Sequence, residues 1–372
     1  MSVPNKIQTW QMVKGPTYDK EAGKVTAPGE LQKTEIDVPE LGAGEVLVQI
    51  AGCGVCHTDM SYFYDGVPTV TKPPLTLGHE ISGTVVAAGP GAESWVGKNV
   101  IVPAVMPCNK CDICAKGRNN RCLAQKMPGN SLGIFGGFSS HIPVPAADLC
   151  VIGDLKGRPL ANYAVIADAA TTPYQAAMRA ELVAGDPVIV TGITGGVGVY
   201  MGQVAKAFGA KPVIGMGRNP EKLERARQLG VDYTIDMKGK DFKAIQEEFR
   251  GICKEAGVKH NVGWKVFECT GVGAAQDVAL GLIGFIGKLI VVGFGMQKNS
   301  YMISRLMAFD ADIIGTWGCL PKYYPKVLEM VQSGKLQIDP LLETRPMSKI
   351  KEAFEEAHSG TLTKRIVLTP DF

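Results

Sequence analysis

The stretch PVIVTGITGGVGVYMGQVAKAFGA, Pro187 to Ala210, reads as a strand, a glycine-rich turn and a helix in immediate succession. PVIVTG is a β-branched run closed by glycine, and after the turn Val197, Met201, Val204 and Phe208 recur at helical spacing. In VTGITGGVG, Val190 to Gly198, the residues Gly192, Gly195, Gly196 and Gly198 permit a tight turn and close backbone approach. That context turns a weak glycine motif into a useful one: a pyrophosphate would lie on the N-terminus of the helix. The same rhythm continues through KPVIGMG, NPEKLERARQLG, DYTID, a helix near Asp241 to Glu255, WKVFEC and FIGKLIVVGFG. Strand and helix in alternation predict a doubly wound parallel sheet.

Upstream the pattern differs. EVLVQIAG, ISGTVVAAG, KNVIVPA and SSHIPVPAADLCVI are short β-branched runs broken by Gly and Pro, which predict a β-rich, loop-rich domain over residues 1–169. The dinucleotide fold is expected over 170–317. Near Gly315 the alternation stops, and two helical segments, PKYYPKVLEMVQSG and PMSKIKEAFEEAHSG, precede a last strand, KRIVLTP; residues 318–372 are expected to return to the first domain.

A chain of 372 residues with 45% hydrophobic and 20% charged residues has ordinary soluble globular composition. A net charge of +3, with no block of like charges, offers nothing to nucleic acid or a membrane surface. There is no apolar run long enough to cross a bilayer, and MSVPNKIQTWQMVKG has no leader-like core, so a cytoplasmic protein is expected. In a chain this long, 10 cysteines point to metal or reactive thiols rather than a disulfide framework.

CNKCDICAKGRNNRC places Cys108, Cys111, Cys114 and Cys122 in one short loop. Four thiolates can close a tetrahedron around zinc without help from the rest of the chain. A ferredoxin-type run would put its fourth cysteine three residues after the third, before proline; here seven residues intervene and Leu123 follows. A closed four-cysteine site is structural, so chemistry needs a second site. AGCGVCHTDM, Ala51 to Met60, crowds Cys53, Cys56, His57, Thr58 and Asp59 together, and LGHEISG adds His79 and Glu80. Taken alone, a thiol beside an imidazole is equally a nucleophile, half of a redox pair or part of a metal site.

GVCHTD, then GHE, then the four-cysteine lobe, then the glycine-rich nucleotide fold: this order resembles the zinc-dependent medium-chain alcohol dehydrogenases, over essentially the whole chain. The resemblance implies a GroES-like catalytic domain beside a Rossmann domain, and two zinc ions per chain. It makes Cys56 and His79 ligands of a catalytic zinc. In relatives the third ligand precedes a TxYxA segment; here that segment is DAATTPYQAA, so Asp168 takes the position. It also implies that Asp59 orients His79 and that Glu80 is a buried carboxylate able to reach the metal. Thr58 would accept the alcohol proton while hydride passes to the nicotinamide. Many relatives have a relay histidine where this chain has Ser61, so the relay must end differently. His141, His260 and His358 read as ordinary histidines.

For the cofactor, the resemblance adds His57, Thr172, Val197, Val292 and Arg365 to the glycines, Arg365 matching an arginine that reaches the pyrophosphate. The turn has one more residue between its first two glycines than G-x-G-x-x-G, a spacing also met in microbial members. Where an acid would bind the adenosine ribose, VIGMGRN offers Gly217 and Arg218. Those residues tilt toward NADP, whereas the resemblance points to NAD; Arg218 would then stack on adenine, and NAD is the expectation adopted.

Ala104 replaces a large aromatic that narrows the pocket in relatives, implying a wider substrate. Taken over the whole chain, the sequence looks similar to members of the family that oxidise 6-hydroxycyclohex-1-ene-1-carbonyl-CoA to the 6-oxo compound in anaerobic aromatic degradation, which implies a cyclic hydroxy acyl-CoA substrate. A general secondary-alcohol dehydrogenase, a zinc-dependent hydratase of a conjugated enone and a zinc-storage protein on the same fold are the alternatives. Family members commonly pair through the nucleotide sheet, so a homo-oligomer, dimer or tetramer, is expected.

Overall fold

Glu45–Gly54, a ten-residue strand whose Val46, Leu47, Val48 and Cys53 are fully buried, organises the first part of the structure. The structure is a computed structural model that describes residues 4–19 and 21–372. It divides into two compact units: residues up to Thr171 with Gly318–Gln332 and Ile338–Phe372, and Thr172–Trp317 with Ser333–Gln337.

In the first unit, Glu45–Gly54 pairs antiparallel with Glu80–Ala88 on one side and with Arg365–Thr369 at its far end, while His141–Pro145 pairs with its beginning. The sheet continues through Asn99–Val102 to Cys150–Ile152, and on the other side Arg365–Thr369 pairs parallel with Leu342–Pro346. SSHIPVPAADLCVI is therefore two strands. A second sheet, Glu30–Asp37, Lys6–Lys14 and Leu75–Thr76, was not legible in the sequence. Lys6–Lys14 alternates exposed and buried residues but carries polar Thr9 and Gln11 on its buried face, which hides the apolar period. Phe63, Phe138 and Phe354 lock the core through edge-to-face contacts at 5.3 and 5.5 Å.

The second unit holds a six-stranded parallel sheet in the order Tyr233–Asp236, Val213–Gly217, Val188–Thr191, Lys265–Glu268, Lys288–Val291, Asp312–Gly315. Helices Gly198–Ala207, Pro220–Gln228, Phe242–Glu255 and Gly273–Leu282 alternate with the strands, giving the Rossmann arrangement expected. Val188–Thr191 is buried throughout, as a central parallel strand must be. Asp241 starts the Phe242–Glu255 helix by accepting from Ala244 N at 2.8 Å, and Ile245, Phe249 and Cys253 form its buried stripe. The strand Asp312–Gly315 closes the alternation but is not among the runs the sequence announces. It is an edge strand with Ile313 39% exposed, so it lacks the continuous apolar run of its neighbours.

Candidate active site and nucleotide cradle

Cys56 caps the short helix His57–Phe63, and Asp59 closes that cap from inside the first turn: its Oδ2 accepts from Cys56 N at 3.0 Å. Its Oδ1 accepts from Gly78 N at 3.0 Å and lies 3.5 Å from His79 Nδ1. One fully buried carboxylate thus ties the cysteine end of the helix to the turn that presents His79.

Asp168 arrives from a different direction. The run Leu160–Ala167 is a buried 3-10 segment, pinned where Ser82 Oγ donates to Leu160 O at 2.8 Å, and Asp168 follows with non-helical dihedrals. Its Oδ2 lies 3.9 Å from Cys56 Sγ and 3.6 Å from His79 Nε2. The donor atoms of Cys56, His79, Glu80 and Asp168 all fall within 4.8 Å of one another. Both ring nitrogens of His79 are buried without a hydrogen-bond partner among the described residues. An imidazole left so, facing a thiol and two carboxyl groups, fits a divalent cation, and the sulfur, nitrogen and oxygen donors suit zinc. Burial works to lower the His79 pKa, but Asp59 and Cys56, with Asp168 behind them, outweigh it and raise it well above the ordinary value.

Glu80 is the partner strand's answer to Gly54. The two are register partners, and a Cβ on Gly54 would lie 2.1 Å from Glu80 Oε2, so the missing side chain leaves the space into which the carboxylate turns. There Arg365 forks it: Nε donates to Oε2 at 2.8 Å and a terminal nitrogen donates to Oε1. Burial raises the Glu80 pKa, and Arg365 opposes that shift. Arg365 is thus placed at the metal group's carboxylate, a link sequence reasoning missed because nothing in the local pattern around either residue names the other.

Thr58 is half-buried with Oγ1 3.7 Å from Cys56 Sγ, and His57 beside it is exposed. Ser61 and Ala104 are buried. Ala104 N donates to Tyr324 Oη at 3.1 Å, while Tyr324 donates to Ala167 O, the residue before Asp168. Tyr324, fully buried, is a second site-forming residue without a sequence signal. His141, His260 and His358 join no group of metal donors among the described residues.

The cysteine lobe closes on itself. Sγ separations are 3.4 Å for Cys108–Cys122, 3.5 Å for Cys111–Cys114 and 3.8 Å for Cys111–Cys122. These are too long for disulfides and near the edge of a tetrahedron with zinc–sulfur arms, roughly 3.8 Å. Backbone donation from Lys110, with help from Cys122, brings the Cys108 pKa down to about 6, whereas burial pushes Cys114 up to about 12. A cation bound by all four would have to displace protons the group otherwise keeps.

In the second unit, Gly192 has φ +77° and Gly195 N donates back to Gly192 O at 2.9 Å, making the turn. A Cβ on Gly198 would lie 2.0 Å from Gly192 O, so only glycine lets the helix start there. Gly195 and Gly196 are exposed beyond it and Val197 and Val292 half-buried. This open backbone cradle at a helix N-terminus fits the pyrophosphate of a dinucleotide. Thr172 is nearly buried and Arg218 exposed. Fully buried Glu268 organises the neighbouring loop, accepting from Thr270 N at 2.7 Å and Gly271 N at 3.2 Å.

Comparison with known proteins agrees with this fold. Residues 42–154 match the alcohol dehydrogenase GroES-like domain family and residues 196–333 the zinc-binding dehydrogenase family. An alcohol dehydrogenase of Geobacillus stearothermophilus is 32% identical over 341 residues, 91% of this chain and 95% of that protein. An L-threonine 3-dehydrogenase of Pyrococcus furiosus is 31% identical over 342 residues, 90% and 94% of the two chains. Among solved structures, acetophenone reductase from Geotrichum candidum in complex with NAD superposes with a TM-score of 0.83 at 25% identity, covering 99% of this chain and 98% of that one.

Proposed function

Because the chain belongs to the zinc-dependent medium-chain alcohol dehydrogenases, acting on CH–OH with NAD(P), we propose that it oxidises the secondary ring alcohol of a cyclic hydroxy acyl-CoA to the ketone with NAD as hydride acceptor. The convergence of Cys56, His79 and Asp168 with partly exposed Thr58 beside them carries the reading. Zinc held by those three residues would supply Lewis acidity toward the alcohol oxygen, and the nicotinamide would take the hydride.

The chain's own residues do the rest. Asp59 fixes the plane of His79, and the Glu80–Arg365 pair keeps a buried carboxylate charge balanced next to the ligands. Thr58 Oγ accepts the hydroxyl proton as the carbon–hydrogen pair leaves, so one alcohol yields one ketone, one reduced nicotinamide and one proton. Ser61 stands where many relatives have a relay histidine and has no titratable ring, so the relay ends differently, in water. Small Ala104 supports a ring substrate; the CoA ester rests on the sequence resemblance.

A second reading is a simpler alcohol or polyol, favoured by relatives named alcohol dehydrogenase and sorbitol dehydrogenase. Reduced-nucleotide absorbance tests both. The cyclic hydroxy acyl-CoA should give kcat/KM above free cyclohexanols and polyols with NAD. Faster turnover of sorbitol or a simple secondary alcohol would sink the acyl-CoA proposal, and strong preference for NADP the choice of NAD. Substrate loss without any added nucleotide would point to the hydratase alternative.

A further inference from the structure

On the strand Val213–Gly217, Gly215 and Gly217 stand two residues apart on one face. Both missing side chains are replaced from the glycine-rich turn. A Cβ on Gly215 would lie 2.8 Å from Ile193 Cγ1, and a Cβ on Gly217 would lie 2.5 Å from Thr194 Cγ2 and 3.1 Å from its Oγ1, with Leu223 Cδ2 next at 3.2 Å. Ile193 and Thr194 are the two residues between Gly192 and Gly195, where the common dinucleotide turn has one. The longer turn is held on the strand: Gly192 N and Ile193 N both donate to Met216 O, at 2.9 and 3.1 Å. Ile193 is fully buried and also fills the space over Gly202 of the following helix. Thr194 is half-buried, at the carboxyl end of the strand, where a dinucleotide's adenosine ribose rests in this fold.

We propose that Thr194 is the specificity-determining residue at the adenosine ribose, standing where the acid of a shorter-turn relative would stand, and that Gly217 is the steric counterpart of the longer turn. This rests on the nicotinamide-nucleotide reading of the unit. A threonine hydroxyl offers one donor and two acceptor sites and no charge. It can meet a ribose hydroxyl but has no charge to repel a 2′-phosphate, so discrimination between the two nucleotides is weak. An acid cannot simply be restored at 217 while Thr194 fills its place; the two positions are one choice.

A double-mutant cycle reads this directly. Dissociation constants for NADH and NADPH come from nucleotide fluorescence without substrate, and thermal midpoints from the nucleotide-free protein. Thr194→Ala should weaken NADH about three- to tenfold, and Thr194→Ser should restore it. Gly217→Asp alone should lower the midpoint and weaken both nucleotides about tenfold. Combined with Thr194→Gly, the same substitution should regain most of both losses, and should raise the NADH-over-NADPH preference about 10- to 100-fold. Gly217→Asp alone shifting the preference as far as the double variant, with an unchanged midpoint, overturns the proposal. So does Thr194→Ala with wild-type affinities. Wild-type protein that binds neither nucleotide overturns the cofactor reading itself, an outcome distinct from tight binding with an additive cycle.

Discussion

Glu80 and Arg365, 285 residues apart, meet in a two-pronged ion pair with Glu80 wholly buried and the Arg365 side chain 8% exposed. Removing the cation strands a carboxylate away from water, so Arg365→Ala should cost about 3–5 kcal/mol in chemical denaturation. Glu80→Gln in that background should recover part of the loss, because a neutral amide is cheaper to bury. Gly54→Ala should mimic the damage by steric means, its methyl falling on the Glu80 carboxylate. Equal stability for wild type and Arg365→Ala would show that the pair is solvated.

Asp59 accepts from two backbone donors and faces an imidazole nitrogen. Asp59→Asn turns an amide N–H₂ toward at least one of those donors. It should therefore weaken zinc retention at the Cys56 site by about 10- to 100-fold in competition with a chelator. An asparagine variant that holds zinc as firmly as wild type would remove Asp59 from its orienting role.

The two metal groups should respond differently to loss of one ligand. Cys111→Ser should abolish one zinc and lower the melting temperature, since the free energy of binding at a closed structural site is folding free energy. Asp168→Ala should instead remove activity with little change in melting. Elemental analysis showing one zinc per wild-type chain, or iron with visible absorbance, would contradict this.

Thr58→Ala should reduce kcat about 100-fold or more while leaving the NADH dissociation constant unchanged, and Thr58→Ser should keep much of the rate. A fully active alanine variant would send the proton by another route.

What the sequence disclosed followed from how local each signal is. Four cysteines within one loop can be read by spacing alone, because the loop is the site. The parallel sheet was legible because central strands such as Val188–Thr191 are apolar on both faces. Asp168 was different: its 112-residue distance from Cys56 carries no local sign, and only resemblance placed it at the third ligand position, where the geometry brings it beside the others. Arg365 against Glu80, Tyr324 under Ala167, and Thr194 over Gly217 were beyond reach, since each depends on backbone brought together by distant strands or by the path of a turn. The edge strand Asp312–Gly315 escaped because half-exposed strands lose the apolar continuity that announces the others.

The strand Arg365–Thr369 lies inside the first unit's sheet, between Glu45–Gly54 and Leu342–Pro346. During synthesis, Glu45–Gly54 emerges from the ribosome more than 300 residues before that neighbour exists. The segment Thr172–Trp317, which supplies all six strands of the parallel sheet, can reach its fold while the earlier sheet still waits with an open flank. An unsatisfied flank of that kind is sticky toward other nascent chains. Slow translation of the final segment should therefore lower the soluble yield of this protein more than slow translation of its middle, and chaperones that shield unpaired strands should act chiefly on the first unit.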